Sequence, residues 1–342
     1  MKSFASDNYS GVAPEIMQAL ISANHEHQPA YGNDPYTQEA QEIFKTIFGE
    51  NSQTYFAYNG TAANSVGLKA VLKSHQAILC PSTAHIANQE VGAATYLTGC
   101  PTFGIESIQG KISAESLQKT YEKTSYWGHH GNQPKVVSIS QSTELGTVYT
   151  LEELQAISKV CQKNNLIFHM DGCRLSNAAV YLNKSLKEIT QEAGVDVLTF
   201  GGTKNGLMLG DAMVFLKPEL AEEFAYVHKQ NLQLNSKMRF ISAQFIPYLK
   251  NNLWHRYASH ANQMCQLLTQ KLLALNIEGV RLAYPQETNQ LFIYLPEKII
   301  KQTQEIYPYY LWDKSQNLAR LVTSFDTTKE DIEGFLRLVK NH

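Results

Sequence analysis

From about residue 54 the chain alternates short β-rich runs with helical stretches, and this alternation limits the fold more than any other feature. TYFAY (54–58) precedes the small-residue helix start NGTAANSVGLKAVL, and AILC (77–80) and VVSIS (136–140) are the next strands. The helix LEELQAISKVCQKN leads into LIFHMD (166–171), and DVLTFGG (196–202) precedes DAMVFL (211–216). Strands separated by helical segments imply βαβ units, hence an α/β fold with a mainly parallel sheet covered on both faces.

The texture changes after residue 217. A long helical region, about 218–275 and broken near Pro247, leads to VRLAYP, QLFIYLP, ARLVTSF and a last helix, TKEDIEGFLRLVK. Strands clustered near a C-terminal helix predict a smaller α+β domain. The first ~50 residues read as an arm or cap, with a helix opening at Pro14, the loop YGNDP and an amphipathic helix. A chain of 342 residues exceeds what one compact core usually holds. The expected division is an arm over 1–50, a large domain over 51–240 and a small domain over 241–342.

Lysine and arginine total 29 against 31 acidic residues, a formal charge of -2, so nothing draws the chain to nucleic acid or an anionic membrane surface. The opening MKSFASDNYSGVAPEI contains no apolar run resembling a signal peptide, and no window approaches the roughly 18 apolar residues of a membrane span. The five cysteines are scattered and form no C-x-x-C pair, which argues against a disulfide scaffold or a zinc site. The expectation is a reduced, cytoplasmic enzyme without a metal.

Three segments carry chemistry. Lys204 follows a predicted strand in FGGTKNG, where Gly201, Gly202 and Gly206 mark close backbone approach at the strand's carboxyl end. Alone, such a lysine reads equally as a solvated loop residue. Asp171 ends LIFHMD and is followed by Gly172, Cys173 and Arg174. A carboxylate there can hold a proton on the ring nitrogen of pyridoxal phosphate (PLP), although an aspartate also caps helices well. Asn59, Gly60 and Thr61 end a strand and open a helix, whose free N–H groups suit a phosphate; plain strand-to-helix punctuation is the alternative.

In this order and company the segments are similar to those of the threonine aldolases, within the fold-type-I PLP enzymes of aspartate-aminotransferase architecture. The resemblance runs nearly end to end: SDN near residue 7, YGNDP (31–35), NGTAAN (59–64), AHIANQE (84–90), HMDGCR (169–174), TKNG (203–206), KMR (237–239) and RLVTSFD (320–326). It implies a PLP-dependent enzyme that cleaves L-threonine, L-allo-threonine and related β-hydroxy-α-amino acids to glycine and an aldehyde. Lys204 would carry the cofactor as a Schiff base and Asp171 would pair with its ring nitrogen. Asn59, Gly60, Thr61, Thr203 and Arg174 complete the implied cofactor set, with His85 stacked on the ring. Arg239 would reach the phosphate of a neighbouring subunit, which implies a homo-oligomer, a dimer or a dimer of dimers, with shared sites.

The resemblance further implies that Arg174 and Arg320 grip the substrate carboxylate, Ser6 assists and Tyr31 lines the site. A planar fork suits a carboxylate better than lysine would. His85 or His130 would act as the base, with His129 competing for the latter role; taken singly, His85 also reads as a structural histidine and Arg320 as a surface salt-bridge residue. One segment departs from the family: after VVSIS many members carry Glu-Asn-Thr-His, whereas this chain has QSTELG (141–146). A β-eliminating lyase, racemase or aminotransferase of the same fold would use the same lysine and aspartate. A non-catalytic PLP-binding protein would lack one or more of Lys204, Asp171 and the two arginines, all of which are present.

Overall fold

The computed structural model describes residues 2–340. Seven strands form the main sheet: β1 (Gln53–Ala57), β2 (Gln76–Pro81), β3 (Thr102–Ile105), β4 (Gln133–Ser140), β5 (Ile167–Gly172), β6 (Val197–Gly201) and β7 (Asp211–Phe215). Their order is β1-β7-β6-β5-β4-β2-β3. Only β7 runs against its neighbours; β6, β5, β4, β2 and β3 are mutually parallel. β5, β6 and β7 are buried at every position, as expected of strands covered on both faces. The six expected strands are therefore all present. The unanticipated one, β3, is a partly exposed edge strand whose sequence TFGI has no apolar run to reveal it.

Helix α1 (Pro14–Ala23) and helix α2 (Pro35–Phe48) each place proline in the first turn, where its missing N–H costs nothing. Asp34 caps α2 by accepting the Thr37 N–H at 2.8 Å. On α2, Phe44 stacks with Phe48 at 5.7 Å between ring centres and meets Phe56, Phe200 and Phe245 edge-on. The opposite face of the sheet is covered by α3 (Gly60–Val71), with Val66 and Leu68 packed among Ile78, Val136, Val197 and Met213.

The hydrophobic cores do not coincide with the expected domain limits. Ile16, Ala40, Phe44 and Phe48 lie in the same core as the sheet, so residues 1–50 are not a separate cap. The large core continues past residue 240 to Tyr257, and the small core begins at Met264. Both residues belong to one helix, Leu253–Leu273, so the division falls inside a continuous element with no change of texture to mark it. The break expected near Pro247 falls just after it, since Pro247 sits within helix Arg239–Lys250 near its end. The breaks are at 231–238 and 251–252, where Asn252 turns with φ of 54°.

The small domain holds an antiparallel sheet of β8 (Arg281–Leu282), β9 (Gln290–Tyr294), β10 (Tyr310–Asp313) and β11 (Leu318–Val322), ordered β10-β11-β9-β8. Phe4 enters its core and is pinned by two backbone bonds of 2.8 Å, Phe4 N–H to Pro308 O and Val322 N–H to Phe4 O. Among the described residues, no helix is long and apolar enough to cross a membrane.

One buried group makes the fold sensitive to acid. His169 in β5 is sealed in the core with its Nδ1 2.8 Å from Ser138 Oγ, and burial pushes its imidazole down to about 4. The fold favours the neutral ring, so its contribution is intact above the unfolded value of about 6.5 and is lost as pH falls from there toward about 4. The loss is at most roughly 1.4 kcal/mol per pH unit. His169→Gln should flatten the stability profile between those limits relative to wild type; parallel profiles of denaturation midpoint against pH would contradict this.

Candidate active site

The carboxyl ends of β4, β5 and β6 converge beside the N-terminus of α3, where ligands bind in open α/β sheets. A cavity of about 190 Å³ opens there, lined by Asn59, Gly60, Thr61, His85, Thr203 and Lys204, with Asn8, Glu90, Cys173 and Asp211 completing its walls.

Asp171 is the penultimate residue of β5 and is 5% exposed. Its Oδ2 accepts from Asn64 Nδ2 at 2.9 Å and its Oδ1 from the Cys173 N–H at 3.0 Å. Burial alone would raise its carboxyl, but the Lys204 ammonium and these donors outweigh it and hold the group below the usual carboxylate range. Asp171 is therefore an ionised, rigidly held acid.

The same Asn64 amide donates to Glu90 Oε1 at 3.0 Å, and Glu90 Oε1 lies 2.8 Å from His85 Nδ1. A chain of bonds thus runs Asp171–Asn64–Glu90–His85. His85, Glu90 and Asp171 bring potential ligand atoms within 4.8 Å of one another. The Asn64 N–H groups already bridge the two carboxylates, however, so the donor set is that of a hydrogen-bond network rather than a cation site. The divergent QSTELG segment joins the same network: Glu144 Oε1 accepts the His85 N–H at 2.8 Å and the Ser140 hydroxyl at 2.6 Å. Burial pushes the Glu144 carboxyl up, and nearby Asp171 adds to the effect.

Lys204 sits in the tight turn Thr203–Asn205 directly after β6. Two glycines make that placement possible. A Cβ on Gly201 would lie 2.5 Å from Cys173 Cα, and one on Gly60 would lie 2.7 Å from Cys173 Sγ. Asp211, at the start of β7, anchors the turn by accepting the Gly202 N–H at 2.9 Å. Its carboxyl is raised by burial, with that N–H and Lys204 opposing. Across the cavity Asn59 caps α3 by accepting the Ala62 N–H at 2.9 Å. The first N–H groups of a helix have no partner within it, and their dipole favours an anion.

Of the residues singled out in the sequence, Lys204, Asp171, Asn59, Gly60, Thr61, Thr203 and His85 meet around this cavity. Arg174, next in the chain to the lining residue Cys173, is paired to Asp7, and Arg320 interacts electrostatically with both; neither arginine is among the residues that line the cavity. Ser6 caps the short turn Asp7–Tyr9 by accepting the Asn8 N–H. Two expectations, those for His130 and Tyr31, are not met within the chain. His130, like His129, precedes β4, whose opposite end at Ser140 faces the site; eight strand residues separate them by roughly 25 Å. Tyr31 is 48% exposed beneath the Lys229 ammonium, 4.2 Å from its ring centre, and does not line the cavity. Arg239, expected at a neighbouring subunit's phosphate, opens helix Arg239–Lys250, donates to Glu26 O at 3.1 Å and does not line this chain's own cavity.

Asn64, Glu90, Glu144, Asp211 and Asp7 were not assigned roles from sequence. Asn64, Glu90, Glu144 and Asp7 lie inside motifs already quoted, and Asp211 is an acid opening the otherwise apolar strand DAMVF. The signal was present in each case as an acid or amide beside a chemical residue.

The model of the family described as Beta-eliminating lyase matches residues 3–298. The chain belongs to the Beta-eliminating lyase family. Within it, the chain is 40% identical over 338 residues to a low specificity L-threonine aldolase of Pseudomonas aeruginosa, covering 98% of this chain and 96% of that one. A low specificity L-threonine aldolase of Escherichia coli is 25% identical over 336 residues, with 96% and 95% covered. Among solved structures, a threonine aldolase of Leishmania major superposes with a TM-score of 0.94 at 27% identity, over 100% of this chain and 99% of that one. The aspartate aminotransferase of Thermus thermophilus shares the fold alone, at 13% identity and a TM-score of 0.72 over 99% and 90%. The chain therefore has the fold-type-I architecture expected from its sequence.

The contact between Gly60 and Cys173 is testable by substitution. Gly60→Ala should cost about 1–3 kcal/mol, because the new methyl overlaps Cys173 Sγ. Combining it with Cys173→Ala should recover part of that loss in thermal denaturation. Strictly additive effects of the two substitutions would show that the contact is not limiting.

Proposed function

We propose that this chain is a PLP-dependent aldolase that cleaves L-threonine, L-allo-threonine and related β-hydroxy-α-amino acids to glycine and an aldehyde. The observation that carries this reading is the meeting of Lys204, an ionised Asp171 and the α3 N-terminus around one cavity. The 40% identity to an L-threonine aldolase over nearly the whole chain supports the choice of reaction.

The residues present fit PLP. Asp171 offers an anionic oxygen set suited to a protonated pyridine nitrogen, and Lys204 offers the amine that would hold the aldehyde carbon. Gly60, Thr61 and the end of α3 offer donors for the phosphate, with Asn59 and Thr203 beside them. When bound, the cofactor supplies an electron sink for the cleavage of a bond to Cα. Asp171 keeps its proton partner charged, and Asn64 keeps Asp171 in place. His85, turned by Glu90 and held at its backbone by Glu144, would cover the ring and take the proton of the β-hydroxyl. Arg320 and Arg174, with Ser6 nearby, would orient the substrate so that its Cα–Cβ bond is the one weakened. Tyr31 and Arg239, on the outer surface, would serve the site of a neighbouring copy in a dimer or dimer of dimers. We place the enzyme in the cytoplasm, acting on small amino acids rather than nucleic acid or membrane.

Incubation of the PLP-loaded protein with L-threonine should release acetaldehyde and glycine. Formation of 2-oxobutanoate and ammonia instead would assign it to β-elimination. Lys204→Ala should lose the visible absorbance of the lysine-bound cofactor while keeping the fold, and a mutant that still binds PLP covalently would overturn the lysine assignment. Asp171→Ala should slow turnover by orders of magnitude, and near-wild-type rates would remove its role toward the ring nitrogen.

A further inference from the structure

Arg174 is not free to offer its whole guanidinium to a ligand. Its Nε donates to Asp7 Oδ2 at 2.7 Å and its NH2 to Asp7 Oδ1 at 2.8 Å, a two-pronged ion pair. The Asp7 side chain is completely buried, and Asn289 Nδ2 adds a third donor to Oδ2 at 3.0 Å. Burial would raise the Asp7 carboxyl, but Arg174, Lys204 and Asn289 together hold it below its ordinary range. Arg320 differs. Its NH2 donates to Ala5 O at 3.1 Å, its Nε is buried without a partner, and its guanidinium lies 5.4 and 5.5 Å from the ring centres of Tyr310 and Trp312. Burial and then the neighbouring Arg174 push Arg320 down to about 10, with Asp7 opposing, so it stays charged at neutral pH.

We propose that Asp7 is a specificity-determining residue: by neutralising Arg174 it leaves the arginine pair one net positive charge, in Arg320, matched to an amino acid that brings a single carboxylate. The inference rests on the reading of the cavity as an amino-acid site. Removing an ion from water is costly unless it meets a counter-charge inside. The α-carboxylate finds that counter-charge at Arg320, whose Nε has a vacant donor. A second carboxylate, on the side chain of an acidic amino acid, finds the other fork already filled by Asp7. With residue 7 uncharged, that fork would be open to it. Arg174 then ties the N-terminal arm to the large domain through Asp7 while orienting the substrate beside Arg320, and Arg320 supplies the charge that Asp7 leaves unneutralised.

The test measures equilibrium binding of glycine and L-aspartate to the PLP-loaded enzyme through the change in cofactor absorbance. Neither amino acid has a β-hydroxyl, so binding is read without aldol cleavage. Asp7→Asn should raise affinity for aspartate relative to glycine by about tenfold, or ~1.4 kcal/mol. Arg174→Gln, which leaves Asp7 uncompensated, should move the ratio the opposite way. Asp7→Asn combined with Arg174→Gln restores the wild-type net charge and should return the ratio toward wild type, which loss of a merely structural contact would not do. A ratio within about twofold of wild type in Asp7→Asn, or a double variant as shifted as the single one, overturns the proposal. Should Asp7→Asn not fold, an unshifted or oppositely shifted ratio in Arg174→Gln does the same. Binding of both amino acids without acetaldehyde release from threonine would sink the aldolase reading and leave the charge-matching test standing; binding of neither would sink both.

Discussion

A negative charge held at the buried end of β5 governs this site. Asp171 lies between strands covered on both faces, where an unpaired carboxylate would take up a proton. It stays ionised because Lys204, Asn64 and the Cys173 N–H converge on it from three different elements. Each convergence has a structural consequence. Lys204 can stand close only because β6 ends in glycines that let the next turn crowd Cys173. Asn64 can reach only because α3 begins at Asn59, one turn earlier. Glu90, two residues past the short helix His85–Asn88, is then held by Asn64 and in turn meets the His85 ring.

A second charge arrangement links the two cores. The N-terminal arm is clamped by Phe4 to the small domain and by Asp7 to Arg174 of the large one. The four residues Phe4–Asp7 therefore span the junction beside the cavity. In a chain whose strands were legible from about residue 54 onward, the segment most tightly coupled to both arginines lies at the opposite end of the sequence.

How much could be read in advance follows from the physics of each element. β5, β6 and β7 are legible as mainly apolar runs, interrupted only by His169, Asp171, Thr199 and Asp211, since strands covered on both sides have no polar face. β3 and β10 are edge strands with mixed burial, and neither carries such a run. The lysine, the aspartate and the phosphate turn were legible because glycines and an acid at strand ends have few structural uses in combination. Glu90, Glu144 and Asp7 were not, because a buried acid is indistinguishable in sequence from a solvated one until its donors are known. His130 rested on the resemblance alone, with His129 competing; it precedes VVSIS and so lies at the amino end of β4, whereas the site gathers at the carboxyl ends.

The helix Leu253–Leu273 gives the molecule a shared spine. Its 21 residues span roughly 30 Å, with Tyr257 packed in the large core and Met264 in the small one. No loop intervenes between those two residues to absorb a relative shift. The separation between Lys204, which follows β6, and Arg320, carried on β11, is thus tied to the straightness of one rod. A bend in that rod would act as a vernier, changing the reach of the site without altering a single residue that lines it.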